Sequence, residues 1–424
     1  MLNFINLDQK NLPYPLPDFE KSFLKSIEGK CADWANSNYA GFRKILDKNA
    51  AEYPNFSSIR AMVEKKKSIN GSAIKNFVVL GTGGSSLGTE AIIRALHPVG
   101  SKIKFFILEN NDPDFFHQHI ESWNAKETLF YVVSKSGGTP ETISQFLVAA
   151  EWIKQELQGK WKEHFVFCTD PQKSELLDLS KKTNIDCLSV PSTVGGRFSV
   201  LTAVGLFPAA FAGLNIEKMI QGAQSLAHKL EENTLDKNPS FQLAYRLTQM
   251  PQKITVSMPY SSLLYPFSRW FCQLWAESLG KNGKGLTPYP AIGTVDQHSQ
   301  IQLYMEGPKD KVVSLIEVEK SKKALPLPSL LEASGLKSFG LLENKTMEKL
   351  LRAELYATRD ALTEAGIPNF TIKIKEINEE SLGALFYFWE ITTVYAGALF
   401  NIDPFTQPGV EAGKLLTKKY LQEQ

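Results

Sequence analysis

The chain has 424 residues, of which 43% are hydrophobic and 22% are charged, values that are ordinary for a soluble globular protein. This length permits two or three domains with full cores. The formal net charge of +2 argues against nucleic acid as a partner, because such binders carry concentrated basic patches. The longest basic runs, at residues 65–67 and 320–323, are therefore expected to be solvated surface.

Cysteine spacing and apolar stretches narrow the class of protein further. The four cysteines are scattered without the spacing of a metal site, so we expect reduced thiols and no metal ion. The first residues lack the basic region and apolar core of a secretory signal. The most apolar stretch, residues 382–400, carries Glu390 and does not predict a membrane span. We therefore expect a cytoplasmic protein without membrane association.

The first part of the chain predicts a helical segment followed by an α/β domain. Residues 1–70 are polar and helical in pattern, and no catalytic chemistry is evident there. Residues 71–215 alternate strand-like runs with helical segments, which predicts βαβ units and a parallel sheet. The strand-like runs are 77–80, 103–108, 128–133 and 164–168.

A second alternation predicts a second domain. Residues 216–250 are expected to form linking helices, and residues 251–400 a second α/β domain. Residues 401–424 are expected to form a carboxy-terminal turn and helix. The sequence therefore predicts an α/β protein with two doubly wound parallel-sheet domains and helical terminal segments. The halves share a pattern but too little sequence to be called a repeat.

The turn after the strand-like run 128–133 carries an unusual set of polar groups. Hydroxyls and an ammonium surround Gly137 and Gly138, just before Pro140 opens a helix. Backbone N–H groups at a helix amino terminus, together with such side chains, suit a dianionic phosphate. An ordinary βα turn is the alternative, but it needs fewer of these groups. The predicted phosphate-binding side chains are those of Ser134, Lys135, Ser136 and Thr139.

A second glycine-rich turn, residues 81–88, follows the run 77–80. A dinucleotide-binding fingerprint requires Gly or Ala at position 86, where this chain has Ser86. The turn also lacks the Gly-Lys-Ser/Thr of a P-loop. Because ligands of parallel sheets bind at the carboxyl ends of strands, Ser85 and the turn 134–139 are expected to converge on one site. A small phosphorylated ligand is favoured over a nicotinamide cofactor.

Several later residues are candidates for catalysis, each with a structural alternative. Arg197 follows a glycine pair and could approach a ligand, although most arginines are surface ion-pair partners. Gln273 and Glu277 are spaced i, i+4 on one helix face, and Glu277 could be a base or a solvent-facing glutamate. His298 and Lys414 are further candidates, although a lone histidine is more often structural than catalytic and most such lysines face water.

Taken together, these segments resemble the glucose-6-phosphate isomerase family. The two family signatures are matched by residues 194–206 and 397–414, and the shorter motifs by 83–85, 134–139, 273–278 and 297–298. They occur in the family's order, and the resemblance runs from about residue 70 to residue 420. It implies two sugar isomerase (SIS) domains, usually in a homodimer, and no cofactor or metal.

The resemblance implies a role for each matched residue in interconverting glucose 6-phosphate and fructose 6-phosphate. Glu277 would move the proton between C2 and C1, and Arg197 would stabilise the cis-enediolate. His298, contributed by the neighbouring subunit, and Lys414 would help to open the sugar ring. The residues expected to bind substrate are Gly84, Ser85, Ser134, Lys135, Ser136, Thr139, Gly196, Gln273 and Gln407.

Three alternatives to this function stay open in the sequence. A relative that also isomerises mannose 6-phosphate is the nearest, because Pro408 stands where many members have an aromatic residue. A non-catalytic sugar-phosphate sensor would need the phosphate turn but not Glu277, Arg197, His298 and Lys414 together. A nicotinamide-dependent oxidoreductase is disfavoured by the glycine spacing at residues 81–88.

Overall fold

The protein is described by a computed structural model that covers residues 4–35, 40–330 and 333–423. Helices and strands alternate through most of the chain. The strands are β1 (Ile5–Asp8), β2 (Ser68–Ile69), β3 (Ser72–Ala73), β4 (Asn76–Leu80), β5 (Lys104–Leu108), β6 (Thr128–Val133), β7 (Phe165–Thr169), β8 (Asp186–Ser189), β9 (Ile254–Pro259), β10 (Thr287–Pro290), β11 (Lys311–Val318), β12 (Pro326–Leu327), β13 (Lys345–Thr346) and β14 (Asn369–Ile374).

The helices pack around the strands. They are α1 (Lys21–Ala35), α2 (Phe56–Lys66), α3 (Leu87–Leu96), α4 (Pro113–Ser122), α5 (Pro140–Leu157), α6 (Glu175–Thr183), α7 (Ala203–Phe211), α8 (Ile216–Glu231), α9 (Pro239–Gln249), α10 (Tyr265–Leu279), α11 (Val295–Ser299), α12 (Ile301–Glu306), α13 (Lys337–Leu342), α14 (Met347–Glu364), α15 (Glu379–Phe400) and α16 (Pro408–Glu423).

The first sheet has five parallel strands in the order β5-β4-β6-β7-β8. Every residue of β4, β6 and β7 is buried. Helices cover both faces of the sheet, so these strands are continuous apolar runs and not alternating ones. This explains why the sequence pattern located them correctly.

The second sheet also has five strands, four of them parallel, but its fifth strand is antiparallel. Its order is β10-β9-β11-β14-β1, with β1 antiparallel to β14 and the other neighbours parallel. The amino-terminal segment, predicted to be helical, therefore also contains the strand β1. Four residues are too few to show a strand period, and β1 forms because its backbone pairs with the edge of β14.

The strand order fixes where a ligand can bind. In the first sheet, β5 lies on one side of β4 and β6 on the other, so the connections diverge above the carboxyl ends of β4 and β6. Such a switch point leaves a crevice between the two departing turns. The turns that leave β4 and β6 are the two glycine-rich turns of the sequence, so the fold brings both to this crevice.

Helix α15 is the central helix of the core that joins the two sheets. It is long and apolar enough to cross a membrane by length and composition, but 89% of that apolar window is buried inside the protein. Its apolar composition is therefore explained by packing. Helices α8 and α9, expected to link the halves, both pack against it.

Two glycines allow α8 and α15 to approach each other closely. A Cβ atom at Gly383 of α15 would lie 1.9 Å from the carbonyl oxygen of Met219, and one at Gly222 of α8 would lie 2.0 Å from that of Glu380. Both obstacles are backbone atoms, which cannot move aside without shifting a helix. The crossing therefore requires glycine at both positions.

We predict that Gly383→Ala destabilises the protein by about 1–3 kcal/mol, the usual cost of overpacking a core. The measurement is the free energy of unfolding in urea. Gly29→Ala on the exposed surface of α1 is the matched control, because nothing lies within 4 Å of its added Cβ atom. Alanine is the better helix former, so the control should be unchanged or slightly stabilised. Equal unfolding midpoints for the two variants would contradict this account of the crossing.

Candidate active site

A cavity of about 810 Å³ occupies the crevice above β4 and β6. Its walls come from the turns after these two strands, the loop 195–197, helix α10 and the turn 405–408. The predicted residues that line it are Gly84, Ser85, Lys135, Ser136, Thr139, Gly196, Arg197, Gln273, Glu277 and Gln407. The structure therefore brings together segments that are more than 300 residues apart in the chain.

The turn 134–139 is held in shape by its own hydroxyls. Ser134 Oγ lies 2.8 Å from Thr139 Oγ1 and accepts a hydrogen bond of 3.1 Å from the N–H of Gly137. Ser134 is only 2% exposed and does not line the cavity, whereas Ser136 and Thr139 do. Gly137 has a φ of 73°, and a Cβ atom there would lie 2.0 Å from Ser174 Oγ. Ser134 thus shapes the turn from beneath.

Lys135 ties this turn to the loop that carries Arg197. Its Nζ donates to the carbonyl oxygens of Ser192 at 2.7 Å and Val194 at 2.8 Å. Burial lowers the pKa of Lys135, and the carboxylate of Asp170 acts in the opposite direction. The ammonium therefore both lines the cavity and fixes the distance between two of its walls.

Two backbone turns that line the cavity also approach each other closely. A Cβ atom at Gly84 would lie 2.3 Å from the carbonyl oxygen of Gly196. Gly83 has a φ of 60°, and its Cβ position lies 2.7 Å from Nε2 of Gln273. The glycines of the turn 81–88 thus permit close packing against loop 195–197 and α10.

Arg197 is the most heavily bonded side chain of the site. Only 4% of it is exposed, and all five guanidinium N–H donors are used. Burial lowers the pKa of Arg197, while the charge of Glu277 raises it. The acceptors are Ser278 Oγ (2.8 Å), Glu277 Oε2 (3.0 Å), Gln407 Oε1 (2.8 Å) and the carbonyl oxygens of Pro404 (2.6 Å) and Thr406 (3.2 Å).

Glu277 lies beside Arg197 with both carboxylate oxygens engaged. Oε2 accepts from Arg197, and Oε1 accepts from Gln273 Nε2 at 2.8 Å. The side chain is 30% exposed and faces the cavity. The i, i+4 spacing of Gln273 and Glu277 on α10 does place them on one face, as predicted.

Two predicted catalytic residues lie outside this cavity. His298 is on the exposed side of the short helix α11, at the carboxyl end of β10 in the second sheet. Lys414 is exposed on α16, six residues beyond Pro408, which is about 9 Å along a helix axis. Neither side chain is among those that line the cavity beside Arg197 and Glu277 in the described part of this single chain.

Some residues that line the cavity were not predicted from the sequence. Thr82 precedes the glycine pair, and Asp170 and Lys173 follow β7. Burial raises the pKa of Asp170, but hydrogen bonds from groups that include the N–H of Gln172 and of Lys173 outweigh it and lower the pKa. Their position directly after a buried parallel strand was a usable signal, because all carboxyl ends of such strands reach one edge.

The donor set is suited to an anionic sugar and not to a metal ion. Within residues 4–35, 40–330 and 333–423, no group of three or more His, Cys, Asp or Glu side chains is arranged to hold a metal. Hydroxyls, an ammonium and a helix amino terminus can bind phosphate, and the paired carboxylate and guanidinium can transfer a proton and stabilise an oxyanion. Fold and site define an α/β protein of the phosphosugar isomerase class.

Comparison with known proteins gives the family. Residues 55–424 match the family described as phosphoglucose isomerase, and the chain belongs to that family. The glucose-6-phosphate isomerase of Rubrobacter xylanophilus is 40% identical over 373 residues, which cover 85% of each chain.

Solved structures support the fold. A hypothetical protein of Thermus thermophilus, TT0462, is 31% identical, with a TM-score of 0.87 and coverage of 98% of this chain and 99% of that one. The tagatose-6-phosphate ketose/aldose isomerase of Escherichia coli has a TM-score of 0.50 at 13% identity and covers 91% and 96%; this likeness concerns the fold alone. The predicted α/β fold of sugar isomerase domains and the predicted family are confirmed.

We predict that Gly84→Ala weakens sugar-phosphate binding by at least about tenfold, because the added methyl group must push apart two walls of the cavity. Titration calorimetry with glucose 6-phosphate measures this. Gly340→Ala on the exposed surface of α13 is the control, since nothing lies within 4 Å of its added Cβ atom and it does not line the cavity. Equal affinities for the two variants would show that the contact between Gly84 and Gly196 does not shape the site.

Proposed function

We propose that this chain interconverts glucose 6-phosphate and fructose 6-phosphate by a proton transfer that needs no cofactor. Its membership of the phosphoglucose isomerase family supports the reaction. The single observation that carries the mechanism is the pair of Glu277 and Arg197, 3.0 Å apart in a cavity that residues of the turn 134–139 also line. The sugar would lie between the pair and this turn.

The phosphate would bind at the turn 134–139. Ser136, Thr139 and Ser85 present hydroxyls to the cavity, and the amino terminus of α5 begins at Pro140. A helix amino terminus carries partial positive charge and unpaired N–H groups, which favour a dianion. Lys135 and the exposed ammonium of Lys173 would add positive charge. Ser134 would act indirectly, through the shape of the turn.

Glu277 would be the base that moves the proton between C2 and C1. Its carboxylate faces the cavity and is oriented from both sides, by Gln273 and by Arg197. A base held in one orientation loses little entropy when the substrate arrives. The backbone of Gly84 and Gly196 and the amides of Gln273 and Gln407 would orient the sugar hydroxyls.

Arg197 would stabilise the negative charge of the cis-enediolate. All of its N–H donors already have acceptors, so it would act mainly through its charge. Nη1, which donates to Glu277 and Gln407, would in addition share a hydrogen bond with the enediolate. A cation that is fixed in advance stabilises developing charge without reorganisation.

Ring opening would require a second subunit. His298 is exposed, and the exposed apolar side chains of Val295 and Leu303 lie in the same segment. Such a surface suits contact with another copy of the chain. In a homodimer His298 would reach the partner's cavity, and Lys414 would complete the acid–base pair from α16. A cytoplasmic location accords with a phosphorylated substrate of central sugar metabolism.

We predict that Glu277→Gln lowers kcat by at least ~10³ and leaves affinity for the phosphate nearly intact, since only the proton relay is lost. A coupled assay of fructose 6-phosphate formation and calorimetry measure the two effects. Glu151→Gln, on the exposed surface of α5, is the control and should behave as wild type. Substantial turnover by Glu277→Gln would refute Glu277 as the base.

We also predict that Lys135→Met raises KM by at least ~10-fold with a smaller change in kcat, because the phosphate is bound but does not react. Steady-state kinetics with glucose 6-phosphate, and in parallel with mannose 6-phosphate, measure it and test the breadth of specificity. Lys181→Met on α6 is an exposed control. An unchanged KM for Lys135→Met would place the phosphate site elsewhere.

A further inference from the structure

One cation of this region has no role in the proposed mechanism. Lys281 lies just beyond the end of α10, four residues after Glu277, and its Nζ donates to two carbonyl oxygens. One is that of Ser278 on α10, at 3.0 Å, and the other that of Asp403, at 2.5 Å. Lys281 therefore joins the end of the helix that carries Glu277 to the start of the turn 403–407.

That turn provides three of the five acceptors of Arg197. The carbonyl oxygens of Pro404 and Thr406 accept from Nη2, and Gln407 Oε1 accepts from Nη1. Arg197 is bonded in turn to Ser278 and Glu277 of α10. The turn is therefore bonded to α10 twice, once through Lys281 and once through Arg197.

We infer that Lys281 is a positioning residue for the isomerase reaction, which holds turn 403–407 against α10 so that Arg197, Gln407 and Glu277 keep their mutual geometry. The inference rests on the proposed function. Lys281 does not line the cavity, so it acts through these three residues. Small displacements of such groups cost a large part of the rate, since reacting groups must stay within fractions of an ångström.

The charge of Lys281 is sensitive to pH in the range of ordinary assays. Burial, together with the nearby charge of Arg197, lowers its pKa to about 8 against the opposing charges of Asp403 and Glu277. Those three charged groups, from the loop 195–197, the turn and α10, face the ammonium. The positioning should be complete well below pH 8 and weaken as the pH rises through this value, as the ammonium becomes an uncharged and weaker donor.

Stability should change in the opposite direction. Unfolded lysine keeps its proton up to its ordinary pKa, so between about pH 8 and that value the unfolded chain binds more protons than the folded one. The contribution of Lys281 to stability therefore rises with pH in this window, while its contribution to activity falls. A lysine with a merely structural role would not make activity fall while stability rises with pH.

The test compares Lys281→Met, Lys281→Arg and Lys284→Met from pH 6.5 to 9.5. Lys284 is the control, because its Nζ bonds to the carbonyl oxygen of Phe400 and not to turn 403–407. We expect Lys281→Met to lose about tenfold or more in kcat at pH 7 with little change in KM or in urea midpoint. Lys281→Arg should keep most activity and hold it above pH 8, since guanidinium stays charged.

Two outcomes would overturn the inference. One is a kcat for Lys281→Met equal to that of Lys284→Met at pH 7. The other is a lower kcat for Lys281→Met that is accompanied by a lower urea unfolding midpoint, which would show a loss of stability and not of positioning. Failure of the proposed function would look different. Wild-type protein would then give no fructose 6-phosphate at any pH, irrespective of the residue at position 281.

Discussion

The site depends on the hydrogen bonds that the buried guanidinium of Arg197 donates. Removing a cation from water is costly unless every donor is satisfied, and here five acceptors from α10 and the turn 403–407 satisfy it. The same bonds hold three distant parts of the chain together. Loss of Arg197 would remove the donor of two backbone carbonyls and of Oε2 of Glu277, so the site's geometry and its charge balance depend on one side chain.

The parallel sheet determines where this cluster forms. Strand order places a crevice above β4 and β6, and glycines at 83 and 84 let the departing turn approach loop 195–197 and α10. Lys135 then fixes the other wall by bonding to the carbonyl oxygens of Ser192 and Val194. The cavity is therefore framed by backbone contacts, and its two buried cations, Lys135 and Arg197, are oriented by hydrogen bonds to backbone carbonyl oxygens.

Much of this could be predicted from sequence, because the informative signals are local. Buried strands such as β4 and β6 are continuous apolar runs, and the turn 134–139 concentrates hydroxyls beside a helix start. Contacts between distant segments leave no such signal. The pairing of β1 with β14, the acceptors of Lys135 and the link from Lys281 to Asp403 all depend on residues far apart in the chain.

Ser134 shows a subtler limit of sequence reasoning. Its hydroxyl type and position suggested direct phosphate contact, yet it is buried and bonds to Thr139 and Gly137. A hydroxyl that shapes a turn and one that binds a ligand share the same motif. Only the direction of the side chain distinguishes them, and the fold sets that direction.

The arrangement of charges explains how Arg197 would stabilise first the carboxylate of the base and then the enediolate intermediate. In the proposed mechanism, Glu277 begins with the negative charge beside Arg197, and proton abstraction passes that charge to the enediolate oxygens. The negative charge thus moves while the guanidinium stays in place. Because Arg197 is already fixed by its acceptors, this mechanism would spend little of the barrier on reorganisation, and the bonds that fix Arg197 would contribute to catalysis.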